Sequence, residues 1–378
     1  MTHYSTIVLG GGTMGTSAAW ELGKRGERAL VLEQFGHVHT MGAHSGQTRV
    51  IRHGYAEGAD YVPLVLHADD LWMDLEAESG SKVFHRVGAL ELAGSPDSHA
   101  HRARASAELH NVPFEWLDSA EIRSRWPQFR IPDDWEGGFG PRSGFLEIEP
   151  ALRGMAASAR ANGVEIRENE PATGWGATAG GVWVETATGR HMGDRLIVTA
   201  GAWSEAILAD LGLPLRVLRK TLWWTEVARS ADFAPERMPV FVADRPGLEY
   251  YGFPIFGQPG LKSANHFGGE TTTLDTVERT TRPGEEREIV GAARWLFGDE
   301  AITGKVVSSA VCLYTSTPDG HFIVDRHPEH ANVVFDAGFS GHGFKFSPAI
   351  GEQLVRLLDP AVQPLGILSL ARFGAVPA

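Results

Sequence analysis

The chain has 378 residues, 43% of them hydrophobic, which is enough for two domains or one large domain with an insertion. Its 34 basic and 47 acidic residues give a formal charge of −13, which argues against a nucleic-acid-binding surface. A single cysteine excludes a disulfide framework, and no apolar run is long enough to span a bilayer. A cytoplasmic monomer without membrane or nucleic-acid partners is therefore expected.

Met1 to Ser5 is polar and carries no basic run, so the apolar stretch after it reads as a strand and not as a signal peptide. Thr6-Ile7-Val8-Leu9 is a buried parallel strand by its β-branched, apolar character. A helix follows from about Thr13 to Arg25, with Met14, Ala18 and Leu22 on one face and Gly26 as its stop. Ala29 to Leu32 is a second strand, ending at Glu33. A third strand–helix unit is expected at Arg195–Thr199, the tight turn Ala200-Gly201, and a helix over Ala202–Leu211. A fourth runs from Asn332–Phe335 through a glycine-rich segment to a helix over Pro348–Leu358, with proline in its first turn. Aromatic-rich segments at Phe84–Leu92, Arg219–Val227, Leu248–Phe256 and Lys305–Tyr314 read as strands of a mixed or antiparallel sheet. The interleaving predicts an α/β protein with a discontinuous nucleotide domain and a second domain, and a ligand at their junction.

Gly10, Gly12 and Gly15 satisfy G-x-G-x-x-G between a strand and a helix. Gly10 makes the tight turn, Gly12 admits a pyrophosphate to backbone amides, and Gly15 allows helix and strand to close. Met14 lies within the same turn. Glu33, 18 residues beyond Gly15, is placed to accept ribose hydroxyls. The fingerprint alone does not separate NAD from FAD. Cys312 bears on that choice, because a thiol that ionises can bond covalently to an electrophilic cofactor. With the fingerprint upstream and the glycine- and histidine-rich run Gly338–Phe346 downstream, Cys312 reads as a flavin tether. His37, His39, His44, His327 and His330 lack supporting carboxylate or thiolate clusters, so no metal site is expected.

Several segments together carry a resemblance. They are Thr48-Arg49-Val50-Ile51-Arg52-His53, Tyr61-Val62-Pro63-Leu64, Tyr250-Tyr251-Gly252-Phe253-Pro254, Gly260-Leu261-Lys262, Val311-Cys312-Leu313-Tyr314-Thr315 and Gly338 to Phe346. In order and spacing the chain resembles the monomeric sarcosine oxidase and N-methyl-L-tryptophan oxidase family of FAD-dependent amine oxidases, over nearly its whole length.

The resemblance implies a Rossmann-like FAD domain over residues 1–85, 145–215 and 320–378. It implies a substrate domain on a mixed, largely antiparallel sheet over residues 86–144 and 216–319. FAD would be joined covalently to Cys312 through the flavin 8α-methyl carbon. An N-alkyl amino acid would be oxidised to an imine that water hydrolyses, with O2 reduced to hydrogen peroxide. Arg52 and Lys345 would grip the substrate carboxylate, a geometry suited to a guanidinium fork and a point charge. Lys262 would assist oxygen reduction as a positioned cation. Arg49 would sit close to the flavin, Tyr251 and His266 would line the substrate pocket, and Tyr314 would lie beside the tether. Gly201, Gly341 and Gly343 would bring backbone to the cofactor, with Lys345 close by.

Two departures stand out. His44-Ser45 occupies the place where the family often carries paired histidines. Val242 stands nine residues before Tyr251, where sarcosine oxidases tend to carry methionine, and Asn265 beside His266 is atypical. These point to a substrate bulkier than sarcosine. Rival readings are a dehydrogenase delivering electrons to a protein or quinone, an oxidase of cyclic imino acids such as pipecolate or proline, an NAD-dependent dehydrogenase, and a non-enzymatic flavin-binding sensor.

Overall fold

The computed structural model describes residues 3–245 and 248–374, so Met1 and Thr2 of the polar opening lie outside the described residues. His3–Leu9 pairs in parallel with Ala29–Leu32 on one side and Gly189–Val198 on the other. Glu165–Arg167 extends this sheet beyond Ala29–Leu32, and Val333–Ala337 extends it beyond Gly189–Val198, both in parallel. Ile7-Val8-Leu9, Leu30-Val31-Leu32 and Leu196-Ile197-Val198 are buried without alternation, as a parallel sheet covered on both faces requires. A hairpin, Ala172–Thr178 with Gly181–Thr186, and the strand Ile323–Arg326 complete an eight-stranded sheet with antiparallel margins.

The helices Thr13–Lys24, Tyr61–Ser79, Ile148–Ala161 and Ser347–Leu357 share one core with Val8, Val31, Ile197 and Val334 of that sheet. The first helix has Arg25 at its C-cap and Gly26 left-handed at φ 69°, so the expected stop falls where glycine allows it. The fourth helix begins one residue before its expected start. The third expected helix, Ala202–Leu211, is broken into Gly201–Trp203, Ser204–Ile207 and Ala209–Leu211. Left-handed Gly201 and Gly212 bound too few residues there for a sustained helix, whose marginal length in isolation is about 12–15.

The second sheet has nine strands. Arg216–Val227 lies against Ile302–Ser316 and Leu261–Asn265, followed by Leu248–Gly252, Val240–Arg245 and Ala89–Ala93. Only the Val240–Arg245 pairing with Ala89–Ala93 is parallel, and the other pairings in this sheet are antiparallel. The expected strand Phe84–Leu92 divides at Gly88, φ 77°: Phe84–His85 joins a three-stranded sheet, while Ala89–Ala93 joins the nine-stranded one. Leu248–Gly252 stops short of the expected Phe256, ahead of Pro254. Strands of the first sheet fall within residues 3–198 and 323–337, and those of the second within 89–140 and 216–316. No helix among the described residues is long and apolar enough to cross a membrane.

The first and last of the four helices meet at Gly351, where a Cβ would collide with the backbone of Ser17 and Ala18. Gly351→Ala should lower stability by about 1–3 kcal/mol through overpacking. A denaturant midpoint equal to that of the wild type would show that the two helices separate without cost.

Candidate active site

A cavity opens at the carboxyl ends of the parallel strands, where open α/β sheets bind ligands. Gly10, Gly12, Met14 and Glu33 line it from the fingerprint side, His44, Arg49 and Gly201 from the flanks, and Tyr314, Gly341 and Gly343 from the far side. Gly12 caps the helix Thr13–Lys24 and has open space where a side chain would stand, so a ligand can approach the helix N-terminus. Gly15 does not line the cavity. A Cβ there would strike the Gly10 carbonyl oxygen, so its role is helix–strand closure.

Glu33 accepts from the Gly11 and Phe35 amides at 2.8 Å each, and burial raises its pKa. Each carboxylate oxygen still has a second lone pair for a ribose hydroxyl. Two buried polar atoms at the cavity have no partner among the described residues: His44 Nε2 and Asp336 Oδ2. Burial holds the His44 pKa down at about 3, which keeps that ring neutral, and pushes the pKa of Asp336 well up, toward its protonated form. Orphaned polar atoms, a glycine cradle and a helix N-terminus together fit a dinucleotide cofactor such as FAD. Asp336 was not among the expected site residues. Its signal was its position at the end of the fourth expected strand, where the ligand crevice of such sheets lies.

A second cavity adjoins the first, and Arg49, Tyr314, Gly341 and Phe344 line both. The nine-stranded sheet forms its wall, and strand register explains which residues reach it. Glu91 pairs with Val242, Val242 with Tyr251, and Tyr251 with Ala264. Trp224 pairs with Lys262, Lys220 with Cys312, and Leu218 with Tyr314. Paired residues share a face and alternate residues return to it, so all of these lie on one side of the sheet. The intervening Leu90, Phe241, Tyr250, Leu261 and Trp223 pack on the other side, against Ile289, Ala293 and Leu296 of the helix Glu286–Phe297.

The cavity gathers an unusual density of charge. Arg52 is buried and donates to Glu57 at 2.8 Å and Glu91 at 3.2 Å. Burial opposes its charge, but Glu57 and Glu91 carry its pKa above the ordinary value. His99 joins this group at 2.7 Å from Glu91. Burial and Arg52 push its pKa down, while Glu249, Glu91 and Glu57 carry it up to about 9. Lys345 donates to the His342 carbonyl at 2.6 Å and to the Tyr55 hydroxyl at 3.1 Å, and burial and Arg52 lower its pKa to about 7. Lys262 donates to the Thr48 carbonyl at 2.7 Å and hydroxyl at 3.1 Å. Burial and neighbouring Arg49 hold its pKa well below that of an ordinary lysine. Arg49 itself donates to the carbonyls of Thr48, Ala43 and Ser45.

Cys312 is buried, and burial raises its thiol pKa against the pull of Arg49, Lys220 and Lys262. Burial also keeps His266 neutral and raises Tyr251 to about 12. The His266 ring stands 3.4 Å from the Tyr314 hydroxyl. Of the expected substrate residues, Arg52, Val242, Tyr251, His266 and Lys345 all line this cavity, as do Lys262 and Cys312. Glu249 lines it too and was not expected, nor were Glu57, Glu91 and His99, which surround Arg52.

A family model described as FAD dependent oxidoreductase matches residues 5–357. The chain belongs to the FAD-dependent oxidoreductase family. It is 38% identical to a monomeric sarcosine oxidase from Bacillus sp. (strain B-0618) over 364 residues, covering 94% of this chain and 92% of that protein. It is 33% identical to an N-methyl-L-tryptophan oxidase from Yersinia pestis (strain Pestoides F), covering 98% of this chain and 99% of that one. The fold matches the open form of NikD, an unusual amino acid oxidase, with a TM-score of 0.84 at 23% identity, covering 98% of each chain. It also matches glycine oxidase from Geobacillus kaustophilus, with a TM-score of 0.81 at 20% identity, over 98% of this chain and 99% of that one. The family membership makes this an oxidoreductase that uses FAD and acts on CH–NH donors, which sets aside the NAD-dependent reading of the fingerprint.

The buried cluster around Arg52 yields a pH test. The pKa of folded His99, about 9, exceeds the ordinary 6.5, so its protonation adds stability. That contribution is complete below pH 6.5 and is lost as pH rises through about 9. The stability difference between wild type and His99→Gln should be greatest near about pH 6 and shrink to a floor by about pH 10. A difference that stays flat across that range, followed by denaturant unfolding, would remove His99 from the charged cluster.

Proposed function

We propose that this oxidoreductase oxidises N-alkyl α-amino acids with dioxygen as acceptor, and that its FAD is bonded covalently to Cys312. One observation carries the reading: Cys312, Lys262, Arg49, Arg52 and Lys345 line a single cavity that adjoins the dinucleotide cavity. The names of the sarcosine and N-methyl-L-tryptophan oxidases to which the chain is similar support the same substrate class. On this reading residues 1–85, 145–215 and 320–378 bind FAD, and residues 86–144 and 216–319 carry the substrate wall. Glycines 10, 12, 201, 341 and 343, with Met14, Glu33 and His44, would hold the cofactor, with Gly15 closing the turn beneath it.

When bound, the flavin supplies a two-electron acceptor that dioxygen reoxidises with formation of hydrogen peroxide. The residues of the chain select and orient the reactants. Arg52 and Lys345 bind the substrate carboxylate, each charge-assisted hydrogen bond contributing roughly 1.5–3 kcal/mol. The amine has to arrive unprotonated. Burial beside Lys262 and Arg49 favours the neutral amine, as it does the neutral form of Lys262 itself. His266 is neutral and hydrogen-bonds without needing to act as a base. Tyr251 and Val242 shape the wall. Lys262, held by Thr48, stabilises the negative charge that develops on oxygen, because a site poised to protonate gains a charge when an anion forms beside it. The imine product leaves and hydrolyses in water.

Acid precipitation of the purified protein should leave the yellow colour with the polypeptide, and Cys312→Ser should release it to the supernatant. Colour that stays soluble in the wild type would refute the tether. Lys262→Met should slow flavin reoxidation by roughly 10²–10³. Anaerobic reduction by substrate should change much less, and stopped-flow traces in which both half-reactions slow equally would defeat the assignment.

A further inference from the structure

Glu249 presents a problem in electrostatics. It lies in the strand Leu248–Gly252, is 6% exposed and lines the substrate cavity together with Tyr251, Val242 and His266. Its backbone is well used: its amide donates to Asn265 Oδ1, and its carbonyl accepts from the His266 amide. Its carboxylate has no hydrogen bond or ion pair among the described residues. A buried carboxylate without a partner is costly, and protein interiors keep such groups only when they are paired or neutralised.

The cations nearby each have direct partners other than Glu249. Arg52 is shared between Glu57 and Glu91, and His99 is bonded to Glu91. The Lys220 ammonium donates to the carbonyls of His266, Phe267 and Gly268 at 2.7–3.1 Å. Asp244, the cross-strand partner of Glu249, accepts from the His99 amide and adds no positive charge. Glu249 is therefore the cavity carboxylate without a hydrogen-bonded cation, facing His99, Arg52 and Lys220 only at longer range.

Its position gives the length of what would match it. Tyr251 packs beside Cys312 and Tyr314, at the end of the cavity where the proposed redox centre lies. Glu249 is on the same face two residues away, roughly 7 Å along the strand. That is about the reach of the side chain of a diamino acid from its α-carbon. We propose that Glu249 forms a subsite for a cationic group, ammonium or guanidinium, on the substrate side chain, so that the preferred substrate is an N-alkyl dibasic amino acid. The proposal rests on the amine-oxidase reading above and specifies its substrate.

The holoenzyme should be assayed with Nα-methyl-L-lysine and Nα-methyl-L-norleucine, which differ at the terminal cation, in wild type and in Glu249→Gln. The wild type should favour the lysine derivative in kcat/KM by about tenfold or more, and Glu249→Gln should cut that ratio by a similar factor. The ratio is taken within one preparation, so loss of folded protein cancels. Calorimetric dissociation constants for L-lysine and L-norleucine should show the same split, independently of turnover. A ratio near one in the wild type, or one unchanged by Glu249→Gln, overturns the subsite alone. Equal loss of kcat for both amines in Glu249→Gln also overturns it, because the carboxylate would then act on the reacting nitrogen. If neither of these amines nor any other secondary amine bleaches the flavin, the oxidase reading falls and takes this proposal with it.

Discussion

The pleat of the nine-stranded sheet is the constraint on which the site depends. Successive side chains of a strand point to opposite faces, so each strand divides its residues between a packed core and the cavity. Tyr250 enters the core beside Phe241, while Tyr251 faces the cavity beside Val242. Trp223 is core, and Trp224 shares the cavity face with Lys262. A slip of one residue in any of these pairings would exchange the two sets and bury Lys262 among Leu296 and Phe297. The core face opposes such a slip, because its large side chains are packed against the helix Glu286–Phe297. Stability on one face of the sheet thus fixes chemistry on the other.

The parallel sheet makes the complementary contribution. It supplies backbone rather than side chains: glycines at the turns, a helix N-terminus, and strand ends that stop together at one edge. Glu33, Asp336 and His44 are exceptions, buried at that edge, the last two with an unpartnered polar atom each. Groups of this kind are tolerated when a ligand completes their hydrogen bonds. The two cavities share Arg49, Tyr314, Gly341 and Phe344, so whatever fills the first forms part of the wall of the second.

Much of this was legible in the residues, for identifiable reasons. Unbroken apolar runs beside glycine marked the parallel strands, because both of their faces are covered. The G-x-G-x-x-G turn and Glu33 marked the nucleotide edge. Motif resemblance brought Arg52, Lys262, Cys312 and Lys345 to one place, although they are separated by up to 293 residues (345 − 52). The long helix Tyr61–Ser79 escaped periodicity because it touches the core on a broad face and carries Pro63 in its first turn. Glu91 and Glu249 escaped because an acidic residue in a strand reads as solvent-facing. Only register reveals that their face is closed by Arg49, His342 and Lys345 from elsewhere in the chain. The ion-pair group around Arg52 depends on three segments remote in sequence, which no local pattern joins.

Burial also does the same work on several groups at once. It lowers the pKa of Lys262, Lys345 and His266 and raises that of Cys312 and Tyr251, always toward the uncharged form. An amine entering this cavity meets the same field, and an ammonium at the reacting nitrogen is disfavoured by the medium and by Arg49 together. On the proposed function a carboxylate on the same molecule would meet the opposite situation, with Arg52 and Lys345 lining the cavity as donors. On that reading the site would distinguish the two ends of an amino acid by charge state before any chemistry begins. On the proposal above, Glu249 extends that logic to a third position, where its carboxylate would accept a second cation.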